Sequence, residues 1–279
     1  MEKKVSYMKY HHNLHFDYPD KIDGHMIAPE QVGHDVLDAN FKYYDKSKWL
    51  RFKQWGLNLA FVILVYWVNY ARYGLKIHGR NVKHKYKKIL KDGFVTVCNH
   101  ITEWDYIFVR SAMRCKRGYV TIWDQNHNGP LGKLMRVVGS IPIPDKKDYA
   151  AMAAFSDGVN QCLQDKNWVQ FYAEGSMWYY YEGLRPFKPG AFSFAVKNNK
   201  PIVPLAISYR PAKGLFKLWK HNYPTCDIEI CKPIFPDPEL TASENIEYMM
   251  EKCREEMLFA MNKNTPEVKD NKEEELANA

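Results

Sequence analysis

From about residue 77 onward the chain alternates short β-rich apolar runs with longer amphipathic stretches, the pattern of a βα fold. The strand candidates are Phe94–Cys98, Tyr119–Trp123, Ser140–Ile143, Trp168–Tyr172, Ile202–Tyr209 and Asp227–Ile230. Between them the spacing predicts helices over about Asp105–Cys115, Gly132–Val138, Asp148–Gln164 and Ala191–Asn198, the third capped by Asp148. Thr241-Ala242-Ser243-Glu244 has the form of a capping box and opens a further helix to about Met261. Its stripe of Ile246, Met249, Met250, Cys253, Met257 and Met261 reads as core packing. The expected fold class is α/β: a mixed central β-sheet flanked by helices, in one domain over residues 77–264.

Two segments precede that domain and one follows it. Residues 1–40 form a polar N-terminal arm with five histidines (His11, His12, His15, His25, His34) and turn formers such as Pro19-Asp20 and Asp23-Gly24. The histidine spacing matches no justified ligand set, so no metal site is expected; an extended arm covering part of the fold is. Over residues 41–76 the apolar core Leu59–Val68 is flanked by Trp55, Tyr66, Trp67 and Tyr70, with Lys42, Lys46, Lys48, Arg51, Lys53, Arg72 and Lys76 outside them. Ten dense apolar residues are short of the roughly 20 that span a bilayer, and aromatics inside a cationic border suit the interface. This segment is expected to be a membrane-docking or partly inserted helix; a true span and a buried core helix are the competing readings. Residues 265–279, after Thr265-Pro266, read as an acidic disordered tail.

Charge sharpens the choice of partners. The net charge is +8, but residues 265–279 carry five acids and two lysines, a net of −3 that leaves +11 on the rest. A basic body suits phosphorylated ligands, an anionic membrane surface or nucleic acid. No RNA-binding aromatic signature or zinc-finger spacing is present, so nucleic acid is not an expected partner. The six cysteines include no CxxC pair, and Met1–Tyr10 lacks an apolar run of the signal-peptide kind. A reducing setting at the cytoplasmic face of the membrane follows as the expectation.

The chemistry concentrates in Asn99-His100-Ile101-Thr102-Glu103-Trp104-Asp105. A histidine and an aspartate five apart, at the end of a buried strand and the start of a helix, can form an acid/base pair. The aspartate holds one ring nitrogen and leaves the other to take a proton from a hydroxyl. His12 with Asp17 and His15 with Asp20 repeat the spacing, but neither follows a predicted strand, so context selects His100 and Asp105. Three further blocks place polar clusters beside strands: Gly139–Lys147; Phe171–Trp178, continuing to Leu184–Ala191; and Pro201–Ile207.

In this order the blocks resemble the glycerolipid acyltransferase family, whose pattern runs N-H-x4-D, G-x-I-x-I ending in Arg, E-G-T/S with F-K-x-G, and V-P-x-x-I. The resemblance covers about residues 75–235 and implies transfer of a fatty acyl group from a thioester to a lyso-glycerophospholipid hydroxyl of the 1-acylglycerol-3-phosphate kind. His100 would be general base and Asp105 its partner. Acyl-CoA or acyl-ACP would be co-substrate with no other cofactor, and membrane lipids the partners. The resemblance also puts Glu174 and Gly175 at the acceptor, with Ser176 beside them and Lys188 placed for phosphate near the helix at Ala191. No G-x-S-x-G elbow surrounds Ser176, which disfavours it as a nucleophile. Two departures touch substrate: Asp145 stands where the second block ends in arginine, and Met177 where the third has its arginine. Arginine supplies a planar fork to a phosphate monoester; Lys146, Lys147, Arg185 and Lys188 are the compensating candidates. A lyso-aminolipid or glycolipid acceptor, a thioesterase and a lipid-binding protein without turnover are the alternatives.

Overall fold

The computed structural model describes residues 6–8, 11–26, 37–113, 118–128, 132–219 and 224–263. The arm contributes an antiparallel pair, β1 (Ser6–Met8) and β2 (His11–Phe16). Then come α1 (Lys48–Tyr73), β3 (Lys76–His78), α2 (Arg80–Lys85), α3 (Lys87–Leu90), β4 (Phe94–Cys98), α4 (Asp105–Met113) and β5 (Gly118–Trp123). The chain continues through α5 (Asp124–Asn128), α6 (Gly132–Val138), β6 (Ser140–Ile143), α7 (Tyr149–Gln164), β7 (Trp168–Phe171) and α8 (Gly190–Lys197). It closes with β8 (Ile202–Arg210), α9 (Leu215–Trp219), β9 (Thr225–Ile230) and α10 (Ala242–Lys263).

Seven strands form one sheet in the order β3-β9-β8-β4-β7-β5-β6. Strands β8, β4, β7, β5 and β6 are mutually parallel; β9 runs antiparallel to β8, and β3 parallel to β9. The sheet is therefore mixed, as expected. Its central strands are covered on both faces, which is why they read as unbroken apolar runs. Side chains alternate between two cores: Val95, Val97, Val169, Phe171, Ile202 and Ala206 face one, and Phe94, Cys98, Trp168, Val203, Leu205 and Ile207 the other. Phe155 and Val159 of α7, Phe192 of α8 and Met249, Cys253 and Met257 of α10 fill the first; Phe108 and Val109 of α4 and Tyr73 of α1 fill the second.

Capping follows the sequence signals. Asp148 accepts from the Ala151 amide at 2.9 Å. Thr241 and Glu244 complete the box, with Thr241 N–H donating to Glu244 (2.8 Å) and Glu244 N–H to the Thr241 hydroxyl (3.4 Å). Helix α1 is capped by Ser47 and ends at Gly74, whose φ of +53° favours glycine. One face of α1 docks on the domain through Val65, Tyr73 and Asn69, whose amide donates to Ile107 O (3.1 Å) and Ser111 Oγ (2.7 Å). The other face leaves Trp49, Phe52, Trp55, Trp67 and Tyr70 exposed. Among the described residues no helix is long and apolar enough to cross a membrane.

The sequence pattern misses β3, α2, α3, α5, α9 and the β1–β2 hairpin. The hairpin also corrects the reading of His12 and His15, which lie in strand β2 and not in a turn-rich segment. The predicted helix end at Cys115, His34 and the acidic tail 265–279 lie outside the described residues.

Candidate active site

The two loops that matter leave the carboxyl ends of neighbouring parallel strands β4 and β7, where open α/β sheets assemble sites. At the end of β4, Asn99 is clamped to β8: its amide donates to Ile207 O (2.9 Å) and its carbonyl accepts from Ile207 N–H (2.8 Å). That fixes the backbone one residue before His100. His100 Nδ1 lies 2.9 Å from Asp105 Oδ2. Asp105 is fully buried and also accepts from Ile101 N–H (2.6 Å), Thr102 N–H (3.1 Å) and the Thr102 hydroxyl (2.9 Å). So many donors converging on one carboxylate make Asp105 the acceptor and Nδ1 the protonated ring nitrogen. The imidazole is 22% exposed and stacks on Tyr172 at 3.9 Å between centroids; its Nε2 has no hydrogen-bond partner among the described residues.

The second loop starts at the end of β7. Glu174 and Arg185 form a buried ion pair (3.0 Å) with 4% and 1% of their surface exposed. Glu174 accepts the His100 N–H (3.3 Å) and the Arg185 N–H (3.0 Å), so this carboxylate ties the catalytic-side loop to its own. Burial pushes the Glu174 carboxyl up, with the Arg185 guanidinium opposing that rise. Arg185 also donates to the Ser176 hydroxyl (2.6 Å) and to Ser176 O, and lies over the Trp178 ring. The structure thus places Arg185 and Glu174 beneath the loop surface, their polar edges turned on each other, rather than toward a ligand. Ser176 is likewise engaged, accepting from Arg185 and donating to Gly24 O (3.1 Å), with no histidine bonded to it among the described residues.

At the surface of the same loop, Gly175 has φ +77°, and a Cβ there would stand 2.6 Å from Lys188 Cε and Nζ. Glycine therefore serves both the left-handed turn and the close approach of the lysine. Desolvation, then repulsion from Lys146, draws the Lys188 ammonium below its ordinary value, with Asp23 opposing and Arg185 adding to the fall. Lys146 and Lys188 are both exposed. Helix α8 begins at Gly190, directly after Lys188-Pro189, without a side-chain cap. Asp145 turns inward on its own loop, accepting the Lys147 N–H at 3.0 Å.

Two contributors escaped the sequence reading. Thr102 and Asp105 form a capping box at the start of α4: the Thr102 N–H reaches the Asp105 carboxylate and the Trp104 N–H reaches the Thr102 hydroxyl (3.1 Å). Its T-x-x-D spacing is visible in the chain. Asn99 carried no comparable signal, because its partner Ile207 is 108 residues away.

Residues 74–208 match the model of the acyltransferase family. No curated protein matches the chain. Among solved structures, the crystal structure of the 1-acyl-sn-glycerophosphate acyltransferase PlsC from Thermotoga maritima overlays with a TM-score of 0.43 at 15% identity, covering 74% of this chain and 92% of that one. The matched span holds the buried aspartate, the histidine bonded to it and the loop that supports them both, and on that match residues 74–208 are a domain of the acyltransferase family.

Proposed function

We propose that the protein is a membrane-associated O-acyltransferase. It moves a fatty acyl group from an acyl thioester, carried on coenzyme A or acyl carrier protein, to the hydroxyl of a lyso-glycerophospholipid of the 1-acylglycerol-3-phosphate kind. The observation that carries the reading is the His100–Asp105 contact of 2.9 Å with Asp105 saturated by backbone and hydroxyl donors. Nε2 takes the acceptor proton as the hydroxyl oxygen attacks the thioester carbonyl. The tetrahedral intermediate then collapses with cleavage of the C–S bond, and the imidazolium returns the proton to the departing thiolate. Asp105 holds the ring and stabilises the imidazolium. Glu174, braced by Arg185, positions the His100 backbone. Lys188 and Lys146 take the acceptor phosphate, with Gly175 permitting the approach. Ser176, with its hydroxyl committed on both sides, is not a nucleophile in this scheme.

Membrane attachment rests on the outer face of α1. Trp49, Phe52 and Trp67 are each more than 60% exposed, Lys53 sits over the Trp49 ring, and Lys48 shares the exposed side. Aromatics bordered by cations favour an anionic interface, and the peripheral reading puts the cytoplasmic leaflet there. A second acceptor reading has its own observation: Asp145 and Met177 occupy positions where the family pattern has arginine, which favours an acceptor without a phosphomonoester, such as a lyso-aminolipid or glycolipid.

The test is mass-spectrometric acyl transfer by the purified protein, offering long-chain acyl-CoA with lysophosphatidate, glycerol-3-phosphate, neutral lysolipids and lyso-aminolipids in parallel, and His100→Ala as control. Preferential acylation of lysophosphatidate, lost in His100→Ala, is expected. Thiol release regardless of acceptor marks a thioesterase, and no release in any arm marks a binding protein; either outcome overturns the reading.

A further inference from the structure

Residues 16–26 of the arm pass over the Ser176–Tyr181 loop and bind it at Phe16, Tyr18, Gly24 and Met26. Phe16 stacks on Tyr179 and Tyr180 (6.2 and 5.8 Å). Tyr18 stacks on Trp178 (5.3 Å, 14°) and donates its hydroxyl to Tyr179 O (2.8 Å). Gly24 O accepts from both the Ser176 hydroxyl and the Trp178 indole (2.8 Å), and the Tyr179 N–H points at Met26 Sδ (3.2 Å). The loop below is itself bonded to the His100 segment, Trp178 N–H to His100 O (3.1 Å) and Tyr180 N–H to Ile101 O (3.1 Å). A turn closed by Gly24 N–H to Lys21 O (2.8 Å) presents Asp23 at this point. Any side chain on Gly24 would meet Pro19 Cβ at 2.6 Å and Lys21 O at 2.9 Å, so this close turn requires glycine.

Asp23 thus stands one residue from Gly24, which grips Ser176, while the Lys188 ammonium lies against Gly175, the residue before Ser176. The turn that carries Asp23 and the Lys188 ammonium therefore meet the same pair of loop residues, Gly175 and Ser176. We propose that Asp23 is a specificity-determining residue of the acceptor site: its carboxylate shares the Lys188–Lys146 cation cluster with the phosphate group of the acceptor, and so weakens phosphomonoester acceptors relative to zwitterionic or neutral ones. The electrostatics agree, since Asp23 is the group that counters Lys146 and Arg185 in favouring the charged form of Lys188. Arg185 is buried and paired with Glu174 underneath, which leaves the exposed lysines as the cations of the cluster. The inference rests on the acyl-acceptor reading given above for the purpose of the cluster, and on the Gly24–Ser176 bond and the Lys188–Gly175 approach for the placement of Asp23 beside it.

The ligand chemistry is a phosphate group, which the acceptor, the coenzyme A donor and free phosphate all carry, so the test separates them. Labelling of Lys188 by an amine-reactive succinimidyl ester, read by peptide mass spectrometry, is measured in the full-length protein, in Asp23→Asn and in Asp23→Glu. Inorganic phosphate, lysophosphatidate and coenzyme A are titrated in separate arms. Removing one unit charge near a partly exposed cation is worth about three- to tenfold in anion affinity. Inorganic phosphate and lysophosphatidate are therefore expected to protect Lys188 at about three- to tenfold lower concentration in Asp23→Asn, with Asp23→Glu near the parent. In turnover, the preference for lysophosphatidate over lysophosphatidylcholine rises by the same factor. Equal protection in all three proteins, or no protection of Lys188 in any, overturns the proposal even if acyl transfer proceeds. Protection by coenzyme A and not by lysophosphatidate overturns the assignment to the acceptor. The expected shift in protection without acyl transfer to any acceptor leaves the effect of Asp23 on Lys188 standing and overturns the acyltransferase reading instead.

Discussion

Replacing Asp105 by Asn removes a charge while nearly preserving a shape. The buried carboxylate accepts from His100 Nδ1 and Ile101 N–H on Oδ2 and from the Thr102 hydroxyl on Oδ1. An asparagine amide can keep its oxygen toward His100, Ile101 and the Thr102 N–H, which lies 3.1 Å from either carboxylate oxygen, and turn its NH2 to the Thr102 hydroxyl, which also has acceptor capacity. Folding then loses the charge-assisted share of these bonds, about 1–2 kcal/mol, or roughly 2–6 °C in melting temperature for a domain of this size. Turnover loses more. With the imidazolium about 4 Å from the carboxylate charge, the attraction at an effective dielectric near 20 is about 4 kcal/mol, which is about 10³ in rate at ~1.4 kcal/mol per decade. Asp105→Asn is therefore expected to lower kcat by about 10²–10³ with acceptor saturating, read as thiol release from acyl-CoA, while circular dichroism reports the small shift in melting. His100→Ala is expected to cost about 10²–10⁴. Because the two side chains act as one unit, the double variant should be little worse than His100→Ala alone. An Asp105→Asn protein within about tenfold of the parent, or a double variant whose loss is the product of the singles, would refute the dyad.

Three other perturbations probe the surroundings. Arg185→Met leaves the Glu174 carboxylate buried without its cation and is expected to cost about 3–5 kcal/mol in urea unfolding, easing on acidification as Glu174 protonates; a cost under about 1 kcal/mol would remove the ion pair from the supporting framework. Changing Trp49, Phe52 and Trp67 together to Ser should weaken co-sedimentation with anionic vesicles by about tenfold or more, each apolar side chain contributing a part of the ~1.5–3 kcal/mol of full burial, and salt should weaken the parent's binding; unchanged binding counts against docking through α1. Burial pushes the Asp227 carboxyl up, but the His78 hydrogen bond and the Arg210 guanidinium outweigh it and hold the group below its ordinary range. Its stabilising contribution is thus complete above the unfolded carboxylate value near pH 4 and is lost as pH falls through the lower folded value; melting temperature against pH should show a flatter acid limb in Asp227→Asn, and parallel curves would contradict this.

The parts of the fold legible in the chain are those whose local pattern and tertiary environment agree. Strands β4, β6, β7 and β8 are buried on both faces, so each is an apolar run with turn residues at its ends, and the observed limits differ from the expected ones by a residue at most. The α10 stripe reads as core in the sequence, and Met249, Cys253 and Met257 are fully buried. Strand β3 fails the same test for a physical reason. Lys76-Ile77-His78 is short and polar, and becomes a strand only by pairing along β9, where His78 also finds Asp227 (3.0 Å). Nothing within the segment announces a partner about 150 residues away.

The site divides along the same line. The five-residue spacing from His100 to Asp105 works because a strand end and a helix start are both locally encoded, and the Thr102 box adds a second local signal. Charge roles are not local. Arg185 reads as a free cation in sequence, yet it is buried, with both terminal guanidinium nitrogens bonded to Glu174 and Ser176 and its face on the Trp178 ring, so its fork is turned away from solvent. Asp145 reads as a lost ligand, yet its carboxylate closes its own turn. Of the cations proposed for the acceptor, the lysines Lys146, Lys147 and Lys188 are the exposed ones, and all are point charges. Lysines discriminate a phosphomonoester from a diester by net charge more than by geometry, so a single opposing carboxylate brought by the arm is enough to shift the balance between acceptors. On this reasoning the polar arm, the least informative stretch of the chain when read alone, sets substrate preference through Asp23.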